Sequence, residues 1–441
     1  MSLTPPEKVR KLQETLHAKA KGSPGYRFYL LYDKVYRRDV LSFAFDRCRS
    51  NGGAPGIDGQ TFADIEAYGA EKWLDELADD LRKKTYQPQP VRRVFIPKPD
   101  GKQRPLGIGT IRDRVAPMAT VLVLEPIFET DLEPERHAYR AEHSALDAVR
   151  QAHGRLNSGH TEVVDADLSG YFDTIPHAEL MKSVAGRISD RHLLRLIKMW
   201  LEAPVEAIDD RGRHHRTTRN KDEGRGSPQG SRLSPLLANI YMRRSILGWK
   251  TLGHEGRLDA HIVNYADDFV ICCRGTAAEA MQAMRSMMSK LRLTVNEAKA
   301  RLGRVPEEGV NFPGYTIGLC HSPRAGRTYI GTKPSAKAID SLKAEIHEWT
   351  SRRWLWTTVE DRVAKLNRTL LGWSNYFCLG PVSTAYRAID RHARHRLRQW
   401  LRGKHELKSR GTTRFPDARL HDEFGLIRLS DRPRNFPWAK A

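Results

Sequence analysis

The chain has 441 residues, and its 74 Lys and Arg residues outnumber the 53 Asp and Glu residues, which gives a formal net charge of +21. Hydrophobic residues make up 39% and include nine Trp, so a wholly disordered protein is excluded. The mean hydropathy is −0.59, and the sequence holds none of the apolar runs of roughly 18 residues that a membrane helix requires. At roughly 150 residues per domain, the length indicates about three domains.

Two features of the sequence report on the cellular compartment. The first 22 residues lack the apolar segment of a secretory signal, and they carry Glu7 and Glu14, which argues against a transit peptide. The five Cys residues are odd in number and include no CxxC pair, so neither a disulfide scaffold nor a cysteine-type zinc site is expected. Both features predict a protein of the reducing cytoplasm.

The basic excess predicts a nucleic-acid partner. Lys and Arg release condensed counterions from phosphates, and a pI near 9.8 on a folded chain is typical of such binding. The densest basic run is 391–398, which contains Arg394, Arg396 and Arg398, with Trp residues interleaved among the surrounding cations. Aromatic residues among cations suit RNA, whose unpaired bases can stack. The alternative is a solvated helix face with its Trp residues in the core.

In chain order, the first elements are helices followed by a hairpin and a buried strand. Residues 1–90 are predicted to be mostly helical. Val91–Ile96 has strand composition, and Lys98–Lys102 holds the Pro, Asp and Gly of a tight turn, so a hairpin is predicted with Arg104 on its return strand. Thr161–Leu168 is predicted to be a buried strand that ends at an acidic cluster.

The middle of the chain contains a loop, a helix and a second hairpin. Glu223–Gln229 is a loop that contains Gly and Pro, and Ser234–Met242 opens a helix. Ile262–Cys273 is apolar and β-branched on both sides of Asp267 and Asp268. This pattern predicts a hairpin with both acids at its turn.

The C-terminal part is predicted to be helical and then irregular. From Thr332 to about Lys404 the sequence predicts a helical bundle with basic outer faces, in which Val363, Leu366 and Leu370 recur at helical spacing. The remaining residues show little periodicity and are predicted to form a loosely packed tail.

Asp167, Asp267 and Asp268 share a context, because each ends or interrupts an apolar strand. Burying unpaired carboxylates is costly, and a divalent cation removes that cost. Mg²⁺ prefers oxygen ligands, and two such ions about 3.5–4 Å apart can stabilise the attacking and leaving oxygens of a phosphoryl displacement. The alternative is three solvated acids in ordinary turns, which composition by itself leaves open.

An ordered set of motifs resembles a known family. Tyr265–Asp268 (YADD) resembles the YxDD signature of reverse transcriptases, and Asp167–Asp173 (DLSGYFD) resembles the preceding catalytic-aspartate motif. Gly226–Gly230 (GSPQG) with Ser234–Ile240 (SPLLANI) resembles the motif between them. Further matching blocks lie at 51–59, 96–104, 293–299, 312–315 and 372–377. Their order and spacing resemble those of group II intron-encoded reverse transcriptase/maturases, over roughly residues 30 to 430.

This resemblance implies a fold and a domain organisation. The expected fold is α+β, a right-hand polymerase whose fingers and palm contain antiparallel sheet, followed by an α-helical thumb/maturase domain. The expected segments are 1–150 for an N-terminal extension and fingers, 151–325 for the palm, 326–405 for the RNA-binding thumb/maturase domain and 406–441 for a basic C-terminal tail. The C-terminal sequence lacks the Cys pairs and His-rich pattern of the endonuclease domain that some relatives carry, so we expect no endonuclease.

The resemblance also implies the metal ligands and a role for Arg140, and the basic run at 391–398 predicts further RNA contacts. Two Mg²⁺ ions, or Mn²⁺ in their place, would be held by Asp167, Leu168 through its backbone carbonyl, Asp267 and Asp268. The RNA-binding residues would be Arg140, Arg394, Arg396 and Arg398. Arg140 keeps the first Arg of the family's phosphate-side block, whereas His143 stands where the family usually has a second Arg.

Nucleotide-binding roles are implied for Lys98, Arg104, Leu168, Phe172, Gln229 and Lys299. Lys98 and Arg104 would grip the incoming triphosphate, the electrostatic clamp that phosphoryl transfer requires. Phe172 would stand against the sugar and exclude a 2′-hydroxyl, which favours dNTPs. Gln229 would lie near the incoming nucleotide. Lys299 would protonate the leaving pyrophosphate, with an ordinary surface lysine as the alternative.

The activity that the resemblance implies is RNA-directed DNA polymerisation in a bacterial cytoplasm, with nucleoid association when the protein is on DNA. The expected partners are intron RNA, an RNA template, a DNA primer and target, and dNTPs, with no membrane partner and the oligomeric state left open. Maturase activity would support splicing and retrohoming. Two alternatives stay open, namely a splicing factor with an idle polymerase and a domesticated relative in host repair or defence.

Overall fold

The computed structural model describes residues 3–97, 101, 103–208, 211, 213–228, 230–322 and 326–432. The chain divides into two compact units. Unit 1 consists of Met1–His143, Asp167–His254 and Gln282–Ala298, and unit 2 consists of Ser144–Ala166, Glu255–Met281 and Lys299–Ala441. Both units contain helices and sheet, so the predicted α+β class is confirmed. The four predicted domain segments stay predictions. Within the described ranges, no helix is both long and apolar enough to cross a membrane.

The helices in chain order are α1 (Glu7–Gly22), α2 (Tyr32–Val35), α3 (Arg38–Asn51), α4 (Phe62–Tyr68), α5 (Ala70–Lys83), α6 (Arg112–Phe128), α7 (Ala145–Asn157), α8 (Tyr171–Thr174), α9 (His177–Ala185), α10 (Arg191–Leu201), α11 (Arg219–Asp222), α12 (Ser234–Thr251), α13 (His254–Leu258), α14 (Ala277–Lys290), α15 (Ala336–Trp349), α16 (Val359–Tyr376), α17 (Ser383–Lys404) and α18 (Asp417–Asp422). The strands are β1 (Val91–Pro97), β2 (Gln103–Ile108), β3 (Glu162–Asp167), β4 (Val205–Ile208), β5 (His214–Thr217), β6 (Ala260–Tyr265), β7 (Asp268–Cys273), β8 (Arg301–Arg304), β9 (Val310–Phe312), β10 (Tyr315–Ser322) and β11 (Arg327–Pro334). The predicted helices within 1–90 and the predicted strand before Asp167 are therefore confirmed.

The hairpin predicted after residue 90 is confirmed and belongs to a larger sheet in unit 1. β1 and β2 pair antiparallel, with Ile96 opposite Arg104. β4 adds parallel to β1 and β5 pairs antiparallel with β4, which gives the order β2-β1-β4-β5. Most of the predicted turn, including Lys98, lies outside the described residues. Arg104 is exposed on β2, so the sheet presents this cation at its surface.

Helix α6 is buried over most of its length in unit 1, and its Pro residues influence how α1 packs against it. Pro126 has no amide hydrogen, so the carbonyl of Leu122, four residues earlier, lacks its usual helical donor. Gln13 Nε2 of α1 donates to the Leu122 carbonyl at 3.1 Å. His17 Nδ1 lies 3.2 Å from the carbonyl oxygen of Pro126. Side chains of α1 therefore supply polar partners at the point where proline interrupts the hydrogen bonding of α6.

Asp190 joins the N-terminal segment of unit 1 to α10. Its Oδ1 accepts hydrogen bonds from the backbone N–H groups of His192 (3.0 Å) and Leu193 (3.2 Å), and its Oδ2 accepts from those of Leu31 (2.9 Å) and Tyr32 (2.8 Å). The residue is buried. Burial by itself raises the pKa of this carboxyl, but the backbone donors outweigh burial, so the pKa of Asp190 is lowered from its ordinary value.

We expect Asp190→Ala to lower the free energy of unfolding by about 2–4 kcal/mol, because it removes the acceptor of four backbone donors. Chemical denaturation at neutral pH measures this change. The folded pKa lies below the unfolded value of about 3.9, so the carboxylate's contribution is fully present above that value. It is lost as the pH falls through the folded pKa, and the difference between wild type and variant should shrink in acid. Ser189→Ala, at the exposed neighbouring position, is the control. A difference that stays constant into strong acid would contradict this role.

Unit 2 contains two sheets. The first has the order β6-β7-β3-β8 and lies in unit 2, except for Asp167, the last residue of β3, which falls in unit 1. The second consists of β9, β10 and β11, paired antiparallel. Apolar side chains of α7 and of both sheets share one core. Asp165 of β3 is paired with Arg301 of β8, with 3.0 Å between Oδ2 and Nε, so this acid has a structural partner.

The predicted helical bundle is confirmed by α15, α16 and α17. Val363, Leu366 and Leu370 of α16 are buried against the apolar faces of the neighbouring helices, as their spacing predicts.

The prediction of a loosely packed tail is wrong for the described residues after Lys404. Phe415, Leu420, Leu426 and Leu429 are buried in the same core as α15, α16 and α17. These four apolar residues follow one another at irregular intervals, so they match neither the period of a helix nor that of a strand. Only the packing of the segment against the bundle reveals that they are core residues.

Candidate active site

The two acids of the YADD sequence lie at the tip of the β6–β7 hairpin, as predicted. Tyr265 pairs with Asp268, so Ala266 and Asp267 form a two-residue turn. Ala266 has φ 58°, in the left-handed region that such turns use. The buried side chain of Asn264 donates from Nδ2 to the carbonyl oxygens of Ala266 (3.2 Å) and Asp268 (3.0 Å). One amide group therefore fixes the turn that carries both acids.

Asp167 is held by a neighbouring segment of unit 1. The Asn296 N–H donates to the carbonyl oxygen of Asp167 at 2.8 Å, and the Ser169 N–H donates to the carbonyl oxygen of Thr294 at 2.9 Å. Leu168, whose carbonyl is a predicted metal ligand, lies between these two bonds and is buried. Asn296 Nδ2 also lies 3.3 Å from Asp167 Oδ2 and donates to it. A carboxylate that accepts one such bond has further lone pairs that could contact a cation.

The sequence analysis does not predict a role for Asn264 or Asn296, although each has a sequence feature that could have indicated one. Asn264 is a buried polar residue that follows the apolar Ile262 and Val263 of β6, and a buried amide is retained only if its hydrogen bonds are satisfied. Asn296 lies in the block at 293–299 that resembles the family, next to the buried Val295. Both amides hold acids or their backbone, as outer partners commonly do around metal ligands.

A cavity of about 940 Å³ in unit 1 brings together three predicted residues, Arg104, Phe172 and Arg140. Tyr139 also lines it and meets the Phe172 ring edge to face, with 6.1 Å between ring centroids. Arg232, which lies between the GSPQG and SPLLANI sequences, is a further lining residue. Apolar residues of α6 form part of the wall. Cationic groups next to aromatic and apolar surface suit a ligand that combines a ring with anionic groups.

The position of Phe172 depends on the Gly- and Pro-containing loop. The Ser227 N–H donates to the Phe172 carbonyl oxygen at 2.7 Å. Gly230 has φ 109° and lies so close to β2 that a Cβ there would overlap the carbonyl oxygen of Gly107. Only glycine satisfies both conditions at this position. The loop therefore approaches the β2 backbone while it holds the aromatic ring at the cavity.

Arg140 has internal partners. Its side chain is 7% exposed, and its Nε donates to Glu129 Oε1 at 2.9 Å. One terminal nitrogen donates to the carbonyl oxygens of Glu133 (3.0 Å) and Arg136 (2.6 Å). These bonds fix the segment between the 3₁₀ turn at Glu129–Asp131 and the cavity. An RNA contact by Arg140 stays a prediction.

The three arginines of α17 also have partners within unit 2. Arg394 and Arg398 both form ion pairs with Asp417, the first residue of α18. Arg398 Nε further donates to the Phe415 carbonyl oxygen at 2.8 Å. Arg396 Nε donates to Thr350 Oγ1 at 3.1 Å. Their predicted RNA contacts stay predictions, and the internal bonds show that these residues also help to attach the C-terminal segment and α15 to α17.

The remaining predicted nucleotide-binding side chains are those of Lys98, Gln229 and Lys299. Lys98 and Gln229 lie outside the described residues. Lys299 is an exposed residue of unit 2, in the loop before β8. The roles of all three stay predictions.

Sequence comparison identifies the class of protein that has this fold and acidic hairpin. A family model described as reverse transcriptase (RNA-dependent DNA polymerase) matches residues 96–317, which is half of the chain. A second, described as group II intron, maturase-specific domain, matches residues 339–415. The chain therefore belongs to the group II intron-encoded reverse transcriptase/maturase family, and it is an RNA-directed DNA polymerase. The fold is that of a right-hand polymerase followed by a helical thumb/maturase region, as the resemblance implies.

Three relatives show the extent of the similarity. The chain is 32% identical over 368 residues to Protein YkfC of Escherichia coli (strain K12), which covers 75% of this chain and 93% of that protein. It is 34% identical over 221 residues to the group II intron-encoded protein LtrA of Lactococcus lactis subsp. cremoris, which covers 49% of this chain and 34% of LtrA. It is 26% identical over 333 residues to the putative COX1/OXI3 intron 1 protein of Saccharomyces cerevisiae, which covers 64% and 38% respectively. The aligned region therefore spans little more than a third of either intron protein.

We expect Asn296→Ala to reduce the rate of primer extension on an RNA template by about 10–100-fold, because the Asp167 carboxylate loses a positioning donor. Steady-state kinetics should place the loss mainly in kcat. Asn157→Ala replaces an exposed Asn at the C-terminal end of α7, outside the blocks that resemble the family, and is the control. Thermal unfolding of both variants should stay close to wild type. Full activity in Asn296→Ala would show that this amide does not position Asp167.

Proposed function

We propose that this reverse transcriptase copies RNA into DNA with two Mg²⁺ ions held by Asp167, Asp267 and Asp268, together with the carbonyl of Leu168. The observation that carries the proposal is the sheet order. β7 begins at Asp268, the neighbouring strand β3 ends at Asp167, and both strands have apolar interiors. Carboxylates at the ends of buried strands need cations or hydrogen-bond donors.

The donor set fits hard divalent cations. It consists of carboxylate oxygens with one backbone carbonyl, the ligands that Mg²⁺ prefers. When bound, two such ions would stabilise the attacking 3′-oxygen and the leaving pyrophosphate oxygen. The role of the protein groups is to fix the acids. Asn264 bonds the turn that carries Asp267, and Asn296 bonds Asp167.

The nucleotide would bind against residues of the unit 1 cavity. Arg104 supplies a cation for the triphosphate, with Lys98 beside it in the sequence block, and Phe172 supplies an apolar surface against the sugar. A 2′-hydroxyl would meet that ring without a hydrogen-bond partner, so dNTPs are favoured over rNTPs. Gln229 would lie near the nucleotide, and Lys299 would protonate the pyrophosphate.

Replacing Asp267 by Ala tests the polymerase proposal. We expect primer extension with an RNA template, a DNA primer, dNTPs and Mg²⁺ to fall on the order of 1000-fold, because the ligand set for the ions is incomplete. Asp165→Ala removes an acid of the same sheet that is paired with Arg301, and it is the matched control. RNA binding, measured separately, should be retained in Asp267→Ala. Wild-type extension by this variant would overturn the assignment of the acids.

We further propose that the chain binds intron RNA and supports splicing and retrohoming. One of its relatives, LtrA, is named as a group II intron-encoded protein. Support comes from the maturase-specific match at residues 339–415 and from the net charge of +21. Within that match, Trp356 is 78% exposed, and its ring centroid lies 6.3 Å from that of Trp354. Trp354 in turn contacts the guanidinium groups of Arg353 and Arg362. An exposed ring next to a second ring that cations contact suits an unpaired base near phosphate.

Replacing Arg394, Arg396 and Arg398 together by Ala should weaken RNA binding and flatten its salt dependence. Each lost phosphate contact lowers the slope of log K against log salt by about 0.7–0.9. Asp417→Asn is the matched control, because it removes the internal partner of Arg394 and Arg398 and keeps all three cations.

The two variants distinguish an RNA-binding role of the three arginines from a purely structural role. If the arginines contact RNA, Asp417→Asn keeps the wild-type slope and the triple variant does not. If they serve only to hold the C-terminal segment, both variants lose thermal stability and neither changes the slope. The second pattern would contradict an RNA-binding role for this face of α17.

A further inference from the structure

A compact group of His and Asp residues lies in unit 2, away from the acidic turn. His160 precedes β3, Asp259 precedes β6, and His261 is the second residue of β6. In the part of the chain that the structure describes, these residues form the one group of three His, Cys, Asp or Glu whose ligand atoms all lie within 4.8 Å of one another. The turn with Asp267 is at the other end of β6, about 15 Å along the strand.

The separations of the ligand atoms fit tetrahedral coordination of one ion. His160 Nε2 lies 3.0 Å from Asp259 Oδ1, and His261 Nε2 lies 3.5 Å from the same oxygen. Zinc bonds to nitrogen and oxygen of about 2.0–2.2 Å, at tetrahedral angles, place neighbouring ligand atoms about 3.3 Å apart. The two observed distances bracket this value. The imidazole rings are nearly perpendicular, with 4.7 Å between their centroids.

The outer nitrogens of both rings face hydrogen-bond acceptors. His261 Nδ1 lies 2.7 Å from Glu255 Oε1. His160 Nδ1 lies 3.3 Å from the Arg155 carbonyl oxygen and 3.0 Å from Ser158 Oγ. A neutral ring that donates from Nδ1 presents a lone pair at Nε2, and both Nε2 atoms face Asp259. Nitrogen lone pairs and a carboxylate oxygen repel one another unless a cation lies between them.

Histidine–metal sites usually have this arrangement, in which each ligating ring donates its other N–H to a carboxylate or a carbonyl. Arg274 provides a further outer contact, since its Nε lies 3.7 Å from Asp259 Oδ2 and a terminal nitrogen donates to the Ser158 carbonyl oxygen at 2.8 Å. The Asp259 side chain is 48% exposed, which leaves a path for an ion and room for water. The side chains of His160 and His261 are largely buried.

We propose that His160, Asp259 and His261 bind a divalent transition metal of the Zn²⁺ type, with water completing a four-coordinate shell. Imidazole nitrogens select Zn²⁺ or Co²⁺ over Mg²⁺, so this site differs in chemistry from the acid set of the polymerase. The ion would connect the start of β3 to the start of β6 and stabilise that end of the sheet. The site is structural, since it lies at the opposite end of β6 from the YADD turn.

Cobalt binding to the full-length protein tests the proposal. The protein is stripped with a chelator, desalted and titrated with Co²⁺ in excess Mg²⁺, which occupies carboxylate-only sites. We expect one equivalent of Co²⁺ to give the intense visible absorption of a low-symmetry site, and Zn²⁺ to displace it and raise the melting temperature. His160→Gln and Asp259→Asn should each lose this absorption. His395→Gln, at an exposed His of α17, should retain it.

Two further variants keep the test decisive. Glu255→Gln alters only the outer partner of His261 and should weaken Co²⁺ binding about 10–100-fold while the fold is kept, as circular dichroism would show. Asp267→Ala should bind Co²⁺ like wild type, so failure of the polymerase proposal would not affect this result. Absence of the absorption in wild type, or its persistence in His160→Gln and Asp259→Asn, would overturn the site. A protonated His261 bridging the two acids without metal would instead make stability indifferent to chelator and Zn²⁺.

Discussion

Carboxylates at the ends of buried strands must be held by fixed donors or cations, and the polymerase region is arranged around this constraint. Apolar side chains of β3, β6 and β7 anchor the strands in the core, and the acids stand where the strands end. Side-chain amides then hold the acids, or the backbone that carries them, by hydrogen bonds. Asn264 bonds the backbone of the turn, and Asn296 bonds Asp167 through both its side chain and its backbone. The charged groups are thereby oriented by neutral donors, which leave net negative charge for a cation.

The same solution recurs at the cavity of unit 1. Arg136 is fully buried and donates from Nε to Asn239 Oδ1 at 2.8 Å. Asn239 Nδ2 donates in turn to the carbonyl oxygens of Ala138 (2.9 Å) and Tyr139 (3.2 Å). This one amide of the middle motif therefore connects α12 to the segment that brings Tyr139 and Arg140 to the cavity wall. A buried polar network of this kind is stable only when each member has its partners.

Some basic residues of the chain form ion pairs within the protein, and net charge alone does not distinguish these from the residues that a partner would contact. Net charge predicts the class of partner, because it acts through the summed field of the surface. It does not predict which cations are exposed to that partner. Arg394 and Arg398 share Asp417, and Arg140 is paired with Glu129, so the densest basic motifs also stabilise the fold. The exposed Trp356 lies next to Trp354, whose ring Arg353 contacts, and net charge does not predict this surface.

The features that depend on neighbours in the chain could be predicted from the amino-acid sequence. The apolar residues around Asp267 and Asp268 specify a hairpin with the acids at its tip, and the spacing of Val363, Leu366 and Leu370 specifies an amphipathic helix. The contacts between groups that are distant in the chain became known only from the fold. Asn296 contacts Asp167, which lies 129 positions earlier in the chain, and Asp259 contacts His160, which lies 99 positions earlier. Such contacts depend on how whole elements pack, so local propensity and periodicity do not predict them.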